Sequence, residues 1–281
     1  MAGTVGYLVL VYLFNRPLSG PHALLWQEEI WNYGSVAVMM AIIYLLTTRN
    51  VDRPRPTLPT DAKAGWWLLG LIGLAAVFNT LFWSVIYPWA NAAHHVVLLI
   101  ATSVMSLLIF AVPAYLRVRP HGAIGFYFQA RDWVLALVLV LCAIGAALVR
   151  DQLFHVAAPT SFYVPTSLVA IPMFLLQSTI NGIPEETLVR GYVLPQLEAI
   201  LRRPWLSMVL MIAVFDLLHV PGDLAQSSHV SVWTWASALI FPLQPTGLIF
   251  GYAYWRSRSL TPGIVLHTYT SLWAPWLFSL V

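Results

Sequence analysis

In the second half of this 281-residue chain, six ionisable side chains stand inside apolar sequence: Glu185, Glu186 and Arg190 in NGIPEETLVRGYVLP, Asp216 and His219 in AVFDLLHVP, and His267 in LTPGIVLHTYTS. At the centre of a bilayer such a group is disfavoured by about 3 kcal/mol on insertion scales, so it marks a function or a buried partner. Amide hydrolysis needs an activated water, donors for the developing oxyanion and a proton for the leaving amine. Carboxylates and imidazoles can supply all three. Glu185, His219 and His267 also match the donor set of a His2Glu zinc site with an open position for water. The residue types leave both chemistries open.

Their spacing is helical. Glu186 and Arg190 are four apart, in the acid-before-base order that favours pairing, while Glu185 points about 100° away around the same helix. One glutamate can thus be neutralised by the arginine while its neighbour stays free. Pro184 fits the first turn of a helix segment or a kink. Phe215 and His219 share a face, as do His267 and Ser271. Three helices could therefore offer a carboxylate, two imidazoles and a hydroxyl to one cavity.

These motifs resemble the CPBP family of intramembrane proteases, named for CAAX proteases and bacteriocin-processing enzymes and also called ABI. Its signature is EExxxR, then FxxxH, then HxxxN or a related polar residue, on successive membrane helices. The chain has Glu185, Glu186 and Arg190 followed by Gly191 and Tyr192, then Phe215 and His219, then His267 with Ser271 where asparagine is common. The stretch GLIFGYAYWRSRSLTPGIVLH also looks like the family's approach to its last histidine. The resemblance covers roughly residues 166 to 281.

It implies that Glu185 with His219 activates the water, that His267 and Ser271 stabilise the oxyanion, and that Glu186 with Arg190 and Phe215 supports them. It implies no cofactor, with zinc on Glu185, His219 and His267 as the alternative. The substrate class is a membrane-anchored protein or peptide: prenylated CAAX tails, peptide precursors and C-terminal anchors all qualify. Asp216 is an extra acid with no place in the pattern.

The elements that must position these residues are membrane helices. Hydrophobic residues make up 59% of the chain and charged ones 9%, against roughly 25% charged in a soluble domain, and mean hydropathy is +0.76. Apolar runs near the ~20 residues of a membrane helix lie around 30–48, 65–89, 93–116, 132–149, 166–190, 204–220, 231–254 and 260–281, with a shorter one at 2–14. The expected fold is an all-α polytopic bundle of eight or nine spans, with N-terminal spans in 1–160 and the catalytic core in 161–281. The segment 2–14 lacks a basic flank and a cleavage site, so it reads as a short first span rather than a removable signal.

Alternating these runs from a cytoplasmic N-terminus leaves only Arg16 and Arg150, of 14 Lys and Arg, on the outer side, in keeping with the positive-inside rule. The expected location is the plasma membrane of a prokaryote, with lipids and a membrane-anchored substrate as partners and no nucleic acid. His22, His94, His95, His121, His155 and His229 read as interfacial, and Glu28 and Glu29 as a solvated helix start. Cys142, the only cysteine, excludes an internal disulfide. A transporter would predict inverted repeats, and no duplication is visible; a non-catalytic scaffold is the other rival. One tension stands: with a span ending near Arg190 and the next starting at Pro204, His219 lies about 22 Å into the membrane, deeper than Glu185.

Overall fold

A computed structural model describes residues 26–47, 53, 57–86, 96–121, 125, 127–154, 179, 182–226 and 246–272. The expected run at 2–14, most of 166–181 and the first part of 231–254 lie outside the described residues. Among the described residues the fold is all helical, without strands. The helices are α1 Trp26–Thr47, α2 Ala62–Leu81, α3 Val96–Ser106, α4 Val112–Val118 and α5 Ala130–Phe154, then α6 over 182–188, α7 Leu194–Leu201, α8 Pro204–Gln226, α9 Thr246–Ser257 and α10 Thr261–Leu272. Ala62–Ile86, Ile100–His121 and Ala130–Val149 are long and apolar enough to cross a membrane, and Gly34–Thr47 and Pro204–Val220 are shorter apolar helices.

Lipid offers backbone groups no hydrogen bonds, so a helix that meets all of them internally is the natural state of such runs. Their outer faces are apolar too: Leu45 on α1, Leu69, Val77 and Leu81 on α2, and Leu137 and Leu141 on α5 are all exposed.

Among the described residues three wide π turns interrupt the helices, at Phe82–Ile86, Leu107–Ala111 and Val189–Val193. Each ends two residues before a proline in the sequence, Pro88, Pro113 and Pro195. A helix-interior proline cannot donate to the carbonyl four residues back, and its ring crowds that carbonyl. A local i→i+5 bond relieves the crowding without ending the helix. Thus the Val112 N–H reaches the Leu107 carbonyl, and the Leu194 N–H reaches that of Val189.

Helices α7 and α8 form one hairpin and α9 and α10 another. Each turns at an arginine in the left-handed region, Arg202 at φ 54° and Arg258 at φ 53°. Their N–H groups satisfy late helix carbonyls, of Glu198 at 2.9 Å and Tyr254 at 2.7 Å, as left-handed C-caps do. Helix α8 packs on α2, α7 and α9; α9 packs on α1 and α10; α5 packs on α1 and α10; and α4 lies against the Val189–Val193 turn.

Long-range bonds gather the helix ends nearest the basic clusters onto one face. Arg53 binds Asp132 through both terminal nitrogens at 2.8 Å and the Ser257 carbonyl at 2.9 Å. Arg256 donates to Thr47, Arg258 pairs with Glu198 at 3.2 Å, and Gln196 donates to the Pro59 carbonyl. The same arginines that read as one side of the membrane in sequence are thus neighbours in space.

Arg190 is the exception and corrects the expected span. The helix does not end there: it runs from 182 through the π turn to Leu201, with Arg190 fully buried in its middle. The depth conflict disappears with it. Glu185 lies 16 residues before Leu201 and His219 lies 15 residues after Pro204, about 24 Å and 22 Å from the hairpin turn.

Candidate active site

Helix α6 begins against α10. A Cβ on Gly182 would stand 3.4 Å from the His267 Cβ, and one on Gly263 would stand 2.6 Å from Glu186 Oε2, so glycines allow both close approaches. Pro184 sits in the first turn, where its missing N–H leaves no helix bond unmade.

Glu185 and the two histidines converge. Glu185 Oε2 lies 3.7 Å from His219 Nε2 and 3.5 Å from His267 Nε2. These separations exceed direct hydrogen bonds, and Glu185 Oε2 itself is buried without a hydrogen-bond partner among the described residues. The Glu185 side chain is 37% exposed and His219 28%, whereas His267 is 12% exposed. The cluster therefore has an open side at Glu185 and a closed side at His267.

Each imidazole is oriented by its other nitrogen. His219 Nδ1 is 2.8 Å from the Phe215 carbonyl, and His267 Nδ1 is 3.2 Å from Glu186 Oε1. Both partners are acceptors, so both Nδ1 atoms carry the proton. In the neutral tautomers the two Nε2 atoms then present lone pairs toward Glu185.

Behind them, Glu186 is 1% exposed and accepts from Arg190 at 3.0 Å with the expected i, i+4 spacing. The Arg190 guanidinium is covered by aromatic faces, with its carbon 4.1 Å from the Phe215 ring centre and 5.2 Å from that of Phe250. Cation–π contact of this kind lowers the penalty of burying the charge. Phe215 also touches the His219 ring at 4.3 Å, so one aromatic ring joins the ion pair to the exposed imidazole. Phe250 stacks on His267 with centroids 5.5 Å apart and planes 5° apart. Asp216 is buried and near enough for its charge to act on Arg190.

The structure thus brings Glu185, Glu186, Arg190, Phe215, His219 and His267 together. Ser271 falls in the last turn of α10, but its side chain lies outside what the structure describes. Phe250, Gly182 and Gly263 escaped the sequence reading. Phe250 lies in the stretch GLIFGYAYWRSRSLTPGIVLH, and no spacing rule links it to His267. Among the described residues, no group of three or more His, Cys, Asp or Glu side chains is arranged to hold a metal ion.

Residues 167–273 match the family model described as type II CAAX prenyl endopeptidase Rce1-like. No curated protein and no solved structure matches the chain. The family match bears out the resemblance drawn from the three motifs, and it covers each of them. It is a protease family, and with the apolar helices it makes the chain an integral membrane protein.

Proposed function

We infer, from the Rce1-like domain over residues 167–273, that the chain is an intramembrane endopeptidase that hydrolyses a peptide bond of a membrane-associated or lipid-linked protein. The observation that carries this reading is the approach of both imidazole Nε2 atoms to one Glu185 oxygen, at 3.7 and 3.5 Å. A water held there donates one hydrogen to Glu185 and one to His219 Nε2, which leaves a lone pair to attack a carbonyl. As the tetrahedral centre forms, the pair removes the water's proton and returns it to the leaving nitrogen.

The oxyanion falls to His267 and Ser271. Glu186 accepts from His267 Nδ1, so this role requires a second proton on Nε2, the nitrogen that lies 3.5 Å from Glu185 Oε2. Glu186 is itself held by Arg190 at 3.0 Å. No cofactor enters this scheme, and the core occupies 161–281 of a bundle of eight or nine spans. The basic face is cytoplasmic, as is the N-terminus, in the plasma membrane of a prokaryote. The substrates proposed are prenylated CAAX tails, peptide precursors or C-terminal anchors.

The test compares new protein termini in membranes of wild-type and Glu185→Ala cells, with cleavage by the purified protein measured before and after chelation. Loss of the base lowers the rate by roughly 10²–10⁴-fold. Intact function in Glu185→Ala would point to a scaffold or transporter. Stoichiometric zinc whose removal abolishes cleavage would replace the metal-free scheme.

A further inference from the structure

The apolar span of α2 carries one side-chain amide, Asn79, in AAVFNTLFW. The buried positions Ala64, Leu68, Leu71 and Ala75 recur at intervals of three and four, the stripe by which a helix faces its neighbours. Asn79 is the next position on that stripe. An amide in hydrocarbon is unfavourable unless its hydrogen bonds are made. Thr80, beside it, meets the same need within its own helix by donating to the Ala76 carbonyl at 2.8 Å. Asn79 instead reaches across to α8, where its Nδ2 donates to the Leu218 carbonyl at 2.9 Å.

The Leu218 carbonyl and the His219 N–H belong to one planar peptide unit, so Asn79 grips the backbone at the residue whose imidazole approaches Glu185. Within α8 the His219 N–H points to the Phe215 carbonyl by the helix pattern, and that carbonyl also receives His219 Nδ1 at 2.8 Å. Ring and backbone are thus fastened to one turn, and Asn79 fastens that turn to α2. The turn needs such support. Pro221 follows two residues after His219 and has no N–H for the Leu217 carbonyl, so the helix ladder is broken there. In membrane helices, polar groups of neighbouring helices steady backbone opened in this way. The donor is itself well held: the Asn79 carbonyl accepts from the Phe82 N–H at the start of the π turn, and Phe78 packs edge-on against Phe110 with centroids 5.1 Å apart.

We propose that Asn79 is a positioning residue for His219, holding the imidazole Nε2 at its 3.7 Å approach to Glu185 through the Leu218–His219 peptide. The catalytic consequence rests on the peptidase reading; the placement of the ring rests on geometry alone. The inference adds that the working site extends beyond residues 167–273, to a residue 139 positions before Leu218 in the chain. Interhelical bonds of this kind contribute little to the stability of a membrane bundle. The effect of losing this one therefore falls on the histidine more than on the fold.

The test uses full-length protein in detergent with isotope-labelled histidine. Ring-nitrogen NMR is read without substrate, and turnover is measured on an internally quenched farnesylated CAAX peptide. His219 is assigned by the signal lost in His219→Gln. In Asn79→Leu the His219 ring signals should shift or split while those of His267 stay, and kcat should fall roughly 10–100-fold at unchanged KM. Asn79→Ala serves if the leucine variant does not fold. Thr80→Val, which removes a hydroxyl bonded within α2, should match the wild type in every readout. Unchanged His219 signals in a folded Asn79 variant overturn the proposal, as does a rise in KM alone, which would place Asn79 on the substrate path. Because the ring signals need no substrate, a wild-type protein that cleaves nothing counts against the peptidase reading, and the Asn79 proposal still stands or falls by His219.

Discussion

Gly263 and Glu186 are in such close register that a Cβ on the glycine would stand 2.6 Å from Glu186 Oε2 and 3.3 Å from its Cδ. The carboxylate has no room to yield, because Arg190 and His267 both hold its other oxygen. Gly263→Ala should therefore displace α10, and His267 with it. We expect a loss of about 1–3 kcal/mol in thermal unfolding and cleavage reduced roughly 100-fold, since a shift near 1 Å at a reacting group has that effect. Gly73→Ala, inside α2 where nothing lies within 4 Å, is the control: it should leave cleavage unchanged and stability level or slightly raised, since alanine is the better helix former. Equal behaviour of the two variants would show that the contact carries no weight.

The Glu186–Arg190 pair is fully buried, with side chains 1% and 0% exposed. Removing one member of such a pair strands the other charge, at about 3–5 kcal/mol, whereas replacing both with apolar groups of similar volume is much milder. Arg190→Met should lower the unfolding temperature sharply, and Glu186→Leu/Arg190→Met should recover most of it. Cleavage should not recover, because His267 Nδ1 loses its acceptor in the double variant. Recovery of activity along with stability would reduce the pair to a purely structural one.

Much of this site was legible because helical spacing is local. The i, i+4 relations of Glu186 with Arg190 and of Phe215 with His219 needed only the helix period, and both hold in space. The end of the helix was not legible. Arg190 reads as a span boundary because a charged residue in lipid is disfavoured, yet Glu186, Phe215 and Phe250 together make its burial tolerable. That arrangement is tertiary and leaves no periodic trace. The depth mismatch between Glu185 and His219 was a sign that the boundary was misplaced. The prolines at 113 and 195 carried the π-turn signal, which spacing rules for a regular helix pass over.

Phe250 tests how far His267 depends on its surroundings. Its ring lies parallel to the imidazole and also near the Arg190 guanidinium. Phe250→Leu keeps an apolar side chain but removes both ring contacts. We expect a modest stability loss of about 1 kcal/mol and a fall in kcat of about tenfold with little change in KM, because His267 would be mispositioned for a role confined to the transition state. Phe250→Tyr should retain most activity. A change in KM alone would place Phe250 on the substrate path instead.

Pro195 offers the sharpest test of how the site is built. The π turn at Val189–Val193 places one extra residue between Glu186 and α7, which rotates α6 by about 100° relative to a regular helix. If Pro195 is what holds the turn open, Pro195→Ala restores the N–H that can reach the Gly191 carbonyl and lets the helix close to the regular i→i+4 pattern. A helix-interior proline is itself unfavourable by up to about 3 kcal/mol, so the unfolding temperature should stay level or rise. Cleavage should fall, because a regular helix turns Glu185 away from His219 and His267. Stability and activity would then move in opposite directions, which a simple packing defect does not produce. Unchanged activity in a well-folded Pro195→Ala protein would mean that burial of Arg190, not the proline, fixes the turn.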